Sequence, residues 1–529
     1  MKRTRCAPLI VPSSTMVRKY ISCLISISCS SQSILFLLFF YIKTIFFICS
    51  KSWYTGLQRK ATTNPRRYTK EVYYMKRIDF EHGTITGNIL GAALPMLVAQ
   101  LLSLLYNIVD RIYIARIPDV GTTALGAVGL CFPIIVIITA FSNLFGSGGA
   151  PLFSISRGGG DTKKAGQIMN TSFTMLCAGA LVLMAAGLLF AAPILKLFGA
   201  SDAALPYAYP YLMIYLLGTL PSMIATGMNP FINAQGYSVA GMLSVAIGAV
   251  TNFLLDPLFI FVFHLGITGA ALATVLSQTL SALYVIRFLH RRAEYKVRLL
   301  RPDEWSASLI EAKNIVSLGT AGFIMQLTNS LVSIFCNNVL GATGGDVYIS
   351  VMTIISSVRQ MVETPIYAIN EGTSPILSYN YGARRPGRVR KAITALAVLI
   401  LLYTAIMWSI IILAPRALIG IFSSDAALVA DAIPSLKLYF AAFIFMDLQY
   451  IGQTVFKSLN KKKHAIFFSL LRKVFIVVPL TYLLPYAFGM GTDGVFAAEP
   501  VSNVIGGSLC FITMLFTVLP ELKRMEKDA

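Results

Sequence analysis

The sequence predicts an all-α membrane protein. Its fold class is twelve transmembrane helices arranged as two six-helix bundles related by a pseudo-twofold axis along the membrane normal. Three observations predict it: an apolar composition, a series of apolar runs of helix length, and an internal repeat that divides the chain in two.

The composition indicates a chain dissolved in lipid. Of 529 residues, 56% are hydrophobic and only 13% are charged, whereas soluble domains carry about 25% charged residues. At about 20 apolar residues per span, the length accommodates roughly a dozen transmembrane helices. Most of the net charge of +21 can then be assigned to basic connections, so a nucleic-acid partner is not expected.

The first 74 residues differ from the rest. They carry a net charge of +11 and four of the eight cysteines, whereas the remaining chain carries +10. Their apolar run, 33–49, is only 17 residues long and contains Lys43, which is marginal for a spanning helix. Because the composition changes at Met75, where a short charged segment leads into a long apolar run, we expect residues 1–74 to be a gene-start artefact or a disordered extension. The alternative is a thirteenth membrane segment.

Twelve apolar runs follow Met75, separated by Gly, Pro or charged clusters. The predicted spans are 87–114, 124–147, 166–190, 205–228, 240–262, 267–289, 312–339, 346–371, 389–413, 431–456, 464–486 and 494–519. Basic residues concentrate in the even-numbered connections, as in Arg291–Arg292 and Lys461–Lys463. Positively charged connections stay in the cytoplasm. The sequence therefore predicts an inner-membrane, multi-pass protein with both termini in the cytoplasm.

An internal repeat sets the architecture. Gly148, Pro151, Ser154 and Gly158 match Gly372, Pro375, Ser378 and Gly382 at an offset of 224, and FGASDAAL (198–205) matches FSSDAAL (422–428) at 223. A repeat of six spans enters the membrane twice from the same side, which gives an axis along the membrane normal. The predicted units are an N-lobe (75–289), a cytoplasmic linker (290–311), a C-lobe (312–519) and a cytoplasmic tail (520–529).

Three features together carry a family resemblance. The run NFLLDP (252–257) followed by GITGAALAT (266–274), the segment GTSPILSYNYGAR (372–384) and the six-plus-six repeat resemble multidrug and toxic compound extrusion (MATE) transporters. The DinF-type branch of the multidrug/oligosaccharidyl-lipid/polysaccharide exporter superfamily is the most similar. The resemblance covers about residues 80–520 and implies transport by alternating access.

The N-lobe contains the first candidate site. Asp110 in span 1 and Asp256 in span 5 are expected at similar depth, with Asn252 one turn before Asp256 and Thr274 on span 6. An Asp at mid-membrane costs about 2.5–3.5 kcal/mol on insertion scales, and two close carboxylates would not both ionise without a cation. The resemblance implies a cation or proton site at these residues, with the Ala270 carbonyl nearby. A transient Na+ at Asp110, Asn252, Asp256 and Thr274 is one option, and a transferred proton is the other.

A purely structural interpretation of the two acids stays open. Asp110 would then be an interfacial neighbour of Arg111, and Asp256 would brace a helix kinked by Pro257. The sequence offers no structural metal site and no resident cofactor, so the only predicted auxiliary is the coupling ion.

The C-lobe contributes a candidate substrate site. Arg359 and Glu363 lie four residues apart on span 8 and can neutralise each other. Glu371 is two turns farther on, and Gln326 and Asn329 supply amides on span 7. We expect these five residues to contact substrate, although Glu371 is equally placed to pair with Arg384 or Arg385. Asp447 and Glu499 are further acids without an assignment.

The predicted function is export of amphipathic, cationic organic compounds in exchange for inward Na+ or H+, by a monomer in the lipid bilayer. An enzyme is not expected, because the sequence contains no phosphate-binding loop, no HExxH and no nucleophile–His pattern. Two alternatives stay open: a flippase or exporter of a lipid-linked or metabolite substrate, and a membrane-embedded lipid-modifying enzyme.

Overall fold

The computed structural model describes residues 77–528, apart from residues 119, 203, 423 and 424. The predictions for residues 1–74 lie outside the described residues. Within the described part all regular structure is helical, and nine helices, or eleven if two bent pairs count as one span each, are long and apolar enough to cross a membrane. The all-helical membrane fold is therefore confirmed.

The predicted spans are found in the predicted order. Spans 1–6 are Ile85–Ala115, Gly121–Gly158, Thr162–Leu197, the bent pair Leu205–Leu217 and Thr219–Ala234, Ser238–Pro257 continued by Leu258–Val262, and Gly266–Arg291. Spans 7 and 8 share the helix Trp305–Gly382; spans 9–12 are Pro386–Leu413, the bent pair Ala426–Tyr439 and Phe443–Ser458, Lys462–Leu470 continued to Ala487, and Gly491–Ser502 continued to Lys527.

The helix Trp305–Gly382 contains two spans rather than one. Its 78 residues would extend about 117 Å if straight, against a hydrocarbon core of about 30 Å. Gly345, with φ 69° and ψ −168°, interrupts it in a conformation that favours glycine. Ile315 and Tyr379, near its two ends, both lie beside the last turns of span 2. The chain therefore turns back at Gly345, which gives twelve spans.

Spans 2 and 8 extend well beyond their predicted ends at 147 and 371. They end at Gly158 and Gly382, and each glycine contacts the opposite helix so closely that an added Cβ would lie 2.0 Å from a carbonyl oxygen, of Tyr379 and of Ile155 respectively. The predicted ends are the points at which hydropathy falls. Both spans nevertheless continue as helices beyond these points, because the two helices pack against each other there. The contact is reciprocal, because Ile155 and Tyr379 are themselves related by the 224-residue offset.

Further features obey the same pseudo-twofold relation. Span 4 bends by 55° at Gly218, and span 10 bends by 50° between Tyr439 and Phe443. Each half has its own apolar core, yet Ile85 and Ile89 of span 1 join the core of the second half. Ile315 of span 7 joins the core of the first half. The two halves therefore exchange the beginnings of their first helices.

The lobes are held together at the end that carries the basic connections, called here the basic end. Arg385 forms an ion pair with Glu81 at 2.5 Å, and Arg388 donates to the Gly83 carbonyl at 2.7 Å. Towards the other end, the amides of Asn107 on span 1 and Asn329 on span 7 are exposed. Polar side chains are costly against lipid, so exposed amides on apolar spans favour a position in a cleft between the lobes.

The connection between the lobes lies along the first half. Backbone N–H groups of Tyr295 and Arg298 donate to Gln235 Oε1 at 2.9 Å and to Asn170 Oδ1 at 3.0 Å. At its far end the Arg298 guanidinium hydrogen-bonds Glu304 and lowers the pKa of that carboxyl to about 2. Helix begins at Trp305 rather than near residue 312, because the polar first turns of span 7 are helical outside the apolar region.

Candidate functional site

The structure brings the four N-lobe candidates together. Asn252 Nδ2 donates to Asp256 Oδ1 at 3.1 Å and to Thr274 Oγ1 at 3.4 Å. The Asp110 carboxyl from span 1 is close enough to Asp256 to interact with it electrostatically. Asp256 is 0% exposed and Asn252 is 1% exposed. These residues, with buried Ala270 one turn before Thr274, form what we call the N-lobe acid cluster.

The N-lobe acid cluster has hydrogen-bonding capacity that the protein leaves unused. Asp110 Oδ1, Asn252 Oδ1 and Asp256 Oδ2 are buried and have no hydrogen-bond partner. An unsatisfied buried acceptor costs about 1–3 kcal/mol. Three acceptors from three side chains are hard oxygen ligands of the kind that hard cations prefer, and either carboxylate could instead hold a proton. The cluster can therefore accept one positive particle.

Local chain features shape this cluster. Pro257 has no N–H, so it cannot continue the regular helical hydrogen bonding of span 5, and the span proceeds as the π-helical turn Leu258–Val262. Single π-helical turns occur frequently at functional sites. The fully buried ring of Tyr113 packs at 6.3 Å from Phe253 and 6.2 Å from Phe261. These rings pack span 1 against span 5, with Tyr113 and Phe253 each three residues from Asp110 and Asp256 respectively.

In the C-lobe, Arg359 and Glu363 belong to a larger ionic network. Arg359 Nε lies 2.5 Å from Glu363 Oε1, and Arg359 Nη1 lies 3.0 Å from Glu499 on span 12. Glu499 also contacts Arg472 and Lys473 of span 11, each at 3.2 Å. Three cations thus share two carboxylates within the bundle, and we call these five residues the C-lobe ionic network.

The other C-lobe candidates lie apart from this network. Gln326 is half-buried and Asn329 is exposed on span 7. Glu371 lies near the basic end, where it lines a cavity between the lobes. The alternative pairing of Glu371 with Arg385 is not observed among the described residues, since Arg385 pairs with Glu81. The five predicted residues are therefore distributed over three places in the C-lobe.

Sequence reasoning missed Arg472 and Lys473. Both are 3% exposed, and they belong to the π-helical segment Leu471–Val477. Both residues are basic, as is the connection Lys461–Lys463 that precedes span 11, so the sequence did not distinguish them from that connection. Two adjacent basic residues about nine positions inside an apolar run, facing an intramembrane Glu on the next span, were the available signal. Asp447, also unassigned, is 0% exposed and neither of its carboxyl oxygens has a hydrogen-bond partner.

The cavity beside Glu371 lies between the lobes, on the pseudo-twofold axis. Equivalent positions from the two halves line it, including Ser147 with Glu371, Pro151 with Pro375 and Asn233 with Lys457; each pair is 224 residues apart. We call it the axial cavity. The described residues contain no group of three or more His, Cys, Asp or Glu side chains placed to hold a metal ion, so neither this cavity nor the N-lobe acid cluster is such a centre.

Comparison with known proteins identifies the family. The MatE family model matches residues 95–258 and 322–483, which together are more than half of the chain and fall one in each half. The chain belongs to the MatE family. The two matches of one model are separated by about the repeat offset seen in the sequence. Asp110, Asn252 and Asp256 fall within the first match, and Arg359, Glu363 and Arg472 fall within the second.

Curated relatives of this MATE protein resemble it over most of their length. The multidrug export protein MepA of Staphylococcus haemolyticus is 25% identical over 452 residues, covering 85% of this chain and 96% of the relative. MepA of Staphylococcus aureus is also 25% identical over 462 residues, covering 87% and 98%. The relatives therefore align with both halves of the repeat.

Solved structures show the same fold. A MATE transporter in complex with MaD3S has a TM-score of 0.78 at 20% identity, covering 85% of this chain and 99% of that one. An outward-facing multidrug resistance MATE transporter has a TM-score of 0.78 at 21% identity, with the same coverage. The twelve-helix, two-bundle architecture is confirmed. As a MATE protein the chain is a multi-pass membrane transporter and not an enzyme.

Proposed function

We propose that this protein is a secondary active exporter of amphipathic, cationic organic compounds, driven by the inward movement of Na+ or H+. The N-lobe acid cluster carries the proposal, since three of its buried oxygens lack a partner inside the protein. The MepA relatives are multidrug export proteins, which supports export as the direction. Each charge that moves inward through 100 mV releases about 2.3 kcal/mol.

The coupling follows from the charge of the cluster. Without a cation, Asp110 and Asp256 repel each other in surroundings of low dielectric. A cation or proton removes this repulsion and stabilises the lobe arrangement that encloses it, and its release favours the other arrangement. The coupling cation or proton shifts this equilibrium only by the difference between its affinities for the two lobe arrangements. Binding on one side and release on the other thereby drives the cycle.

The basic connections assign the two ends of the molecule to the two sides of the membrane. With the basic connections in the cytoplasm, the lobe contacts at Gly158, Gly382, Glu81 and Arg385 close the cytoplasmic side, and the cleft faces outward. Both termini are then cytoplasmic in a cell (inner) membrane, and the chain acts as a monomer because each copy contains two complete lobes. We propose that substrate meets the five C-lobe candidates at different places along its path: Gln326 and Asn329 in the cleft, Arg359 and Glu363 in the bundle, and Glu371 in the axial cavity.

Transport into vesicles tests the proposal. Purified protein in liposomes should move a fluorescent cationic dye when a pH or sodium gradient is imposed, with one gradient varied at a time. Asp256→Asn should abolish gradient-driven transport without changing protein abundance, because the neutral amide no longer supplies the charge that the cation compensates. The matched control is Asp346→Asn at an exposed turn. Undiminished transport by Asp256→Asn would refute the coupling role.

A further inference from the structure

The axial cavity contains two opposite charges that no other group neutralises directly. Glu371 on span 8 and Lys457 on span 10 both line it, and both are half-buried. Among the described residues, neither forms an ion pair within 4 Å. Two hydrogen bonds fix the spans beside them: Thr454 Oγ1 donates to Asn370 Oδ1 at 2.7 Å, and Ser458 Oγ donates to Ser374 Oγ at 2.9 Å.

The N-lobe wall of the cavity is uncharged and contains a few polar side chains among apolar ones. At the positions equivalent to Glu371 and Lys457 it has Ser147 and Asn233. The Ser154 hydroxyl, from a residue that also lines the cavity, is fully buried and has no hydrogen-bond partner. The N-lobe wall therefore offers hydrogen bonds to an occupant. The two charges, of Glu371 and Lys457, both belong to the C-lobe and stay together when the lobes move apart.

The cavity is collapsed in this arrangement of the lobes. It has about 30 Å³ of space for water-sized molecules, which is room for roughly two waters, whereas drug-sized ligands occupy pockets of about 300–1,000 Å³. The contact between Gly158 and Gly382 lies one turn beyond Ser154 and two beyond Pro375, and it closes the cavity towards the basic end. Separation of the lobes at that end would enlarge the cavity and open it to solvent.

We propose that the axial cavity is the closed form of an entry site for the cationic group of a transported compound, in which Glu371 is the counter-ion and Lys457 is a tethered competitor. This inference rests on the proposed export function. A substrate ammonium and the Lys457 ammonium cannot both be balanced by the single carboxylate that lines the cavity once the cavity closes. When the basic end opens, the substrate displaces Lys457 from the neighbourhood of Glu371.

The tether gives the competition a direction. Lys457 stays beside Glu371 at a high effective concentration because it belongs to the same lobe. As the basic end closes and the cavity shrinks, Lys457 takes the place of the substrate cation and releases it towards the cleft. The cation therefore binds less tightly than Glu371 alone would allow, and it leaves faster. The effect depends on substrate charge, so a neutral compound is not subject to it.

Equilibrium binding to purified protein in detergent tests this without any gradient. The probes are tetraphenylphosphonium, a permanent cation, and triphenylphosphine oxide, a neutral relative. Lys457→Met should lower the Kd for the cation about tenfold, equivalent to about 1.4 kcal/mol, and lower the kcat of dye export. Glu371→Gln should raise the cation Kd by about the same factor, and neither change should alter binding of the neutral probe.

Matched variants separate competition from general damage. Lys463→Met removes a charge from an exposed residue of the next connection and should leave both Kd values unchanged. Lys457→Arg keeps the charge and should behave as the unmodified protein does. The proposal is overturned if the unmodified protein does not bind tetraphenylphosphonium, or if Lys457→Met resembles Lys463→Met. Opposite Kd shifts in a protein that exports no dye would instead refute the export function and leave the competition standing.

Discussion

Glu499 is the residue on which the C-lobe ionic network depends. It is 4% exposed and contacts Arg359, Arg472 and Lys473 at 3.0–3.2 Å. Removing one partner of a buried ion pair typically costs about 3–5 kcal/mol, because the other charge is left uncompensated. In this network the loss would leave three cations with Glu363 alone.

We therefore predict that Glu499→Gln strongly lowers thermal stability in detergent and lowers expression. Thermal unfolding measured by intrinsic fluorescence checks this. The control is Glu526→Gln, since Glu526 pairs with Arg390 at a largely exposed site where such a pair contributes about 0–1 kcal/mol. Equal melting temperatures for the two variants would show that the network does not stabilise the bundle.

For individual residues, the sequence predicted which side chains are costly in lipid, but it did not predict all of their partners. Asp110, Asn252, Asp256 and Thr274 were predicted from rarity, spacing and resemblance, and they meet in space. Arg472 lies nine residues beyond Lys463, or about 13.5 Å along a helix. That depth is hidden in a linear sequence whenever a basic connection runs directly into a span.

The helices that meet at the basic end depend on glycine. An added Cβ at Gly158 or Gly382 would lie 2.0 Å from the carbonyl oxygen of the opposite helix, so backbone would have to move rather than a flexible side chain. Overpacking of this kind typically costs about 1–3 kcal/mol. The cost falls only on the arrangement in which the two helices touch.

We predict that Gly158→Ala shifts the population towards the arrangement that is open at the basic end. The measurement is labelling of a cysteine introduced at Ser154, which should become several-fold faster in the variant. Gly166→Ala on span 3 is the matched control, because nothing lies within 4 Å of its added Cβ. If both alanine variants label at the same rate, the glycine contact does not hold the basic end closed.

The sequence predicted span order well and the local helix geometry poorly. Hydropathy decided each span, but it could not show that spans 2 and 8 continue to Gly158 and Gly382 through mutual packing. The π-helical segment Leu258–Val262 follows closely after Asp256. The π-helical segment Leu471–Val477 contains Arg472. Only Pro257 gave a local signal for the first, and none was available for the second.

The two halves of the molecule share a backbone plan but differ in their charges. The offset of 224 predicted the repeat, and the equivalent bends and the reciprocal Gly158 and Gly382 contacts agree with it. The equivalents of Asp110 and of the charged Lys457 are Ile334 and Asn233. The N-lobe therefore keeps a small acidic site, whereas the C-lobe holds an ionic network and the axial charges.

In the proposed cycle, the cation acts on the N-lobe and the substrate mainly on the C-lobe. The exchanged beginnings of spans 1 and 7 join the lobes mechanically at the basic end. Sequence alone could not reveal that exchange, because it arises from contacts between residues far apart in the chain, such as Gly148 and Ile315, which are 167 positions apart. We propose this exchange as the physical route by which a change at Asp256 alters the distance between the lobes.

The distance between the lobes at the basic end tests this account most directly. Spin labels at exposed Lys163 and Lys391, with reactive native cysteines replaced, report it in lipid nanodiscs. Addition of the coupling cation, either Na+ or protons, should change the distance distribution of the unmodified protein and should not change that of Asp256→Asn. An equal response in Asp256→Asn, or none in the unmodified protein under either cation, would contradict the account.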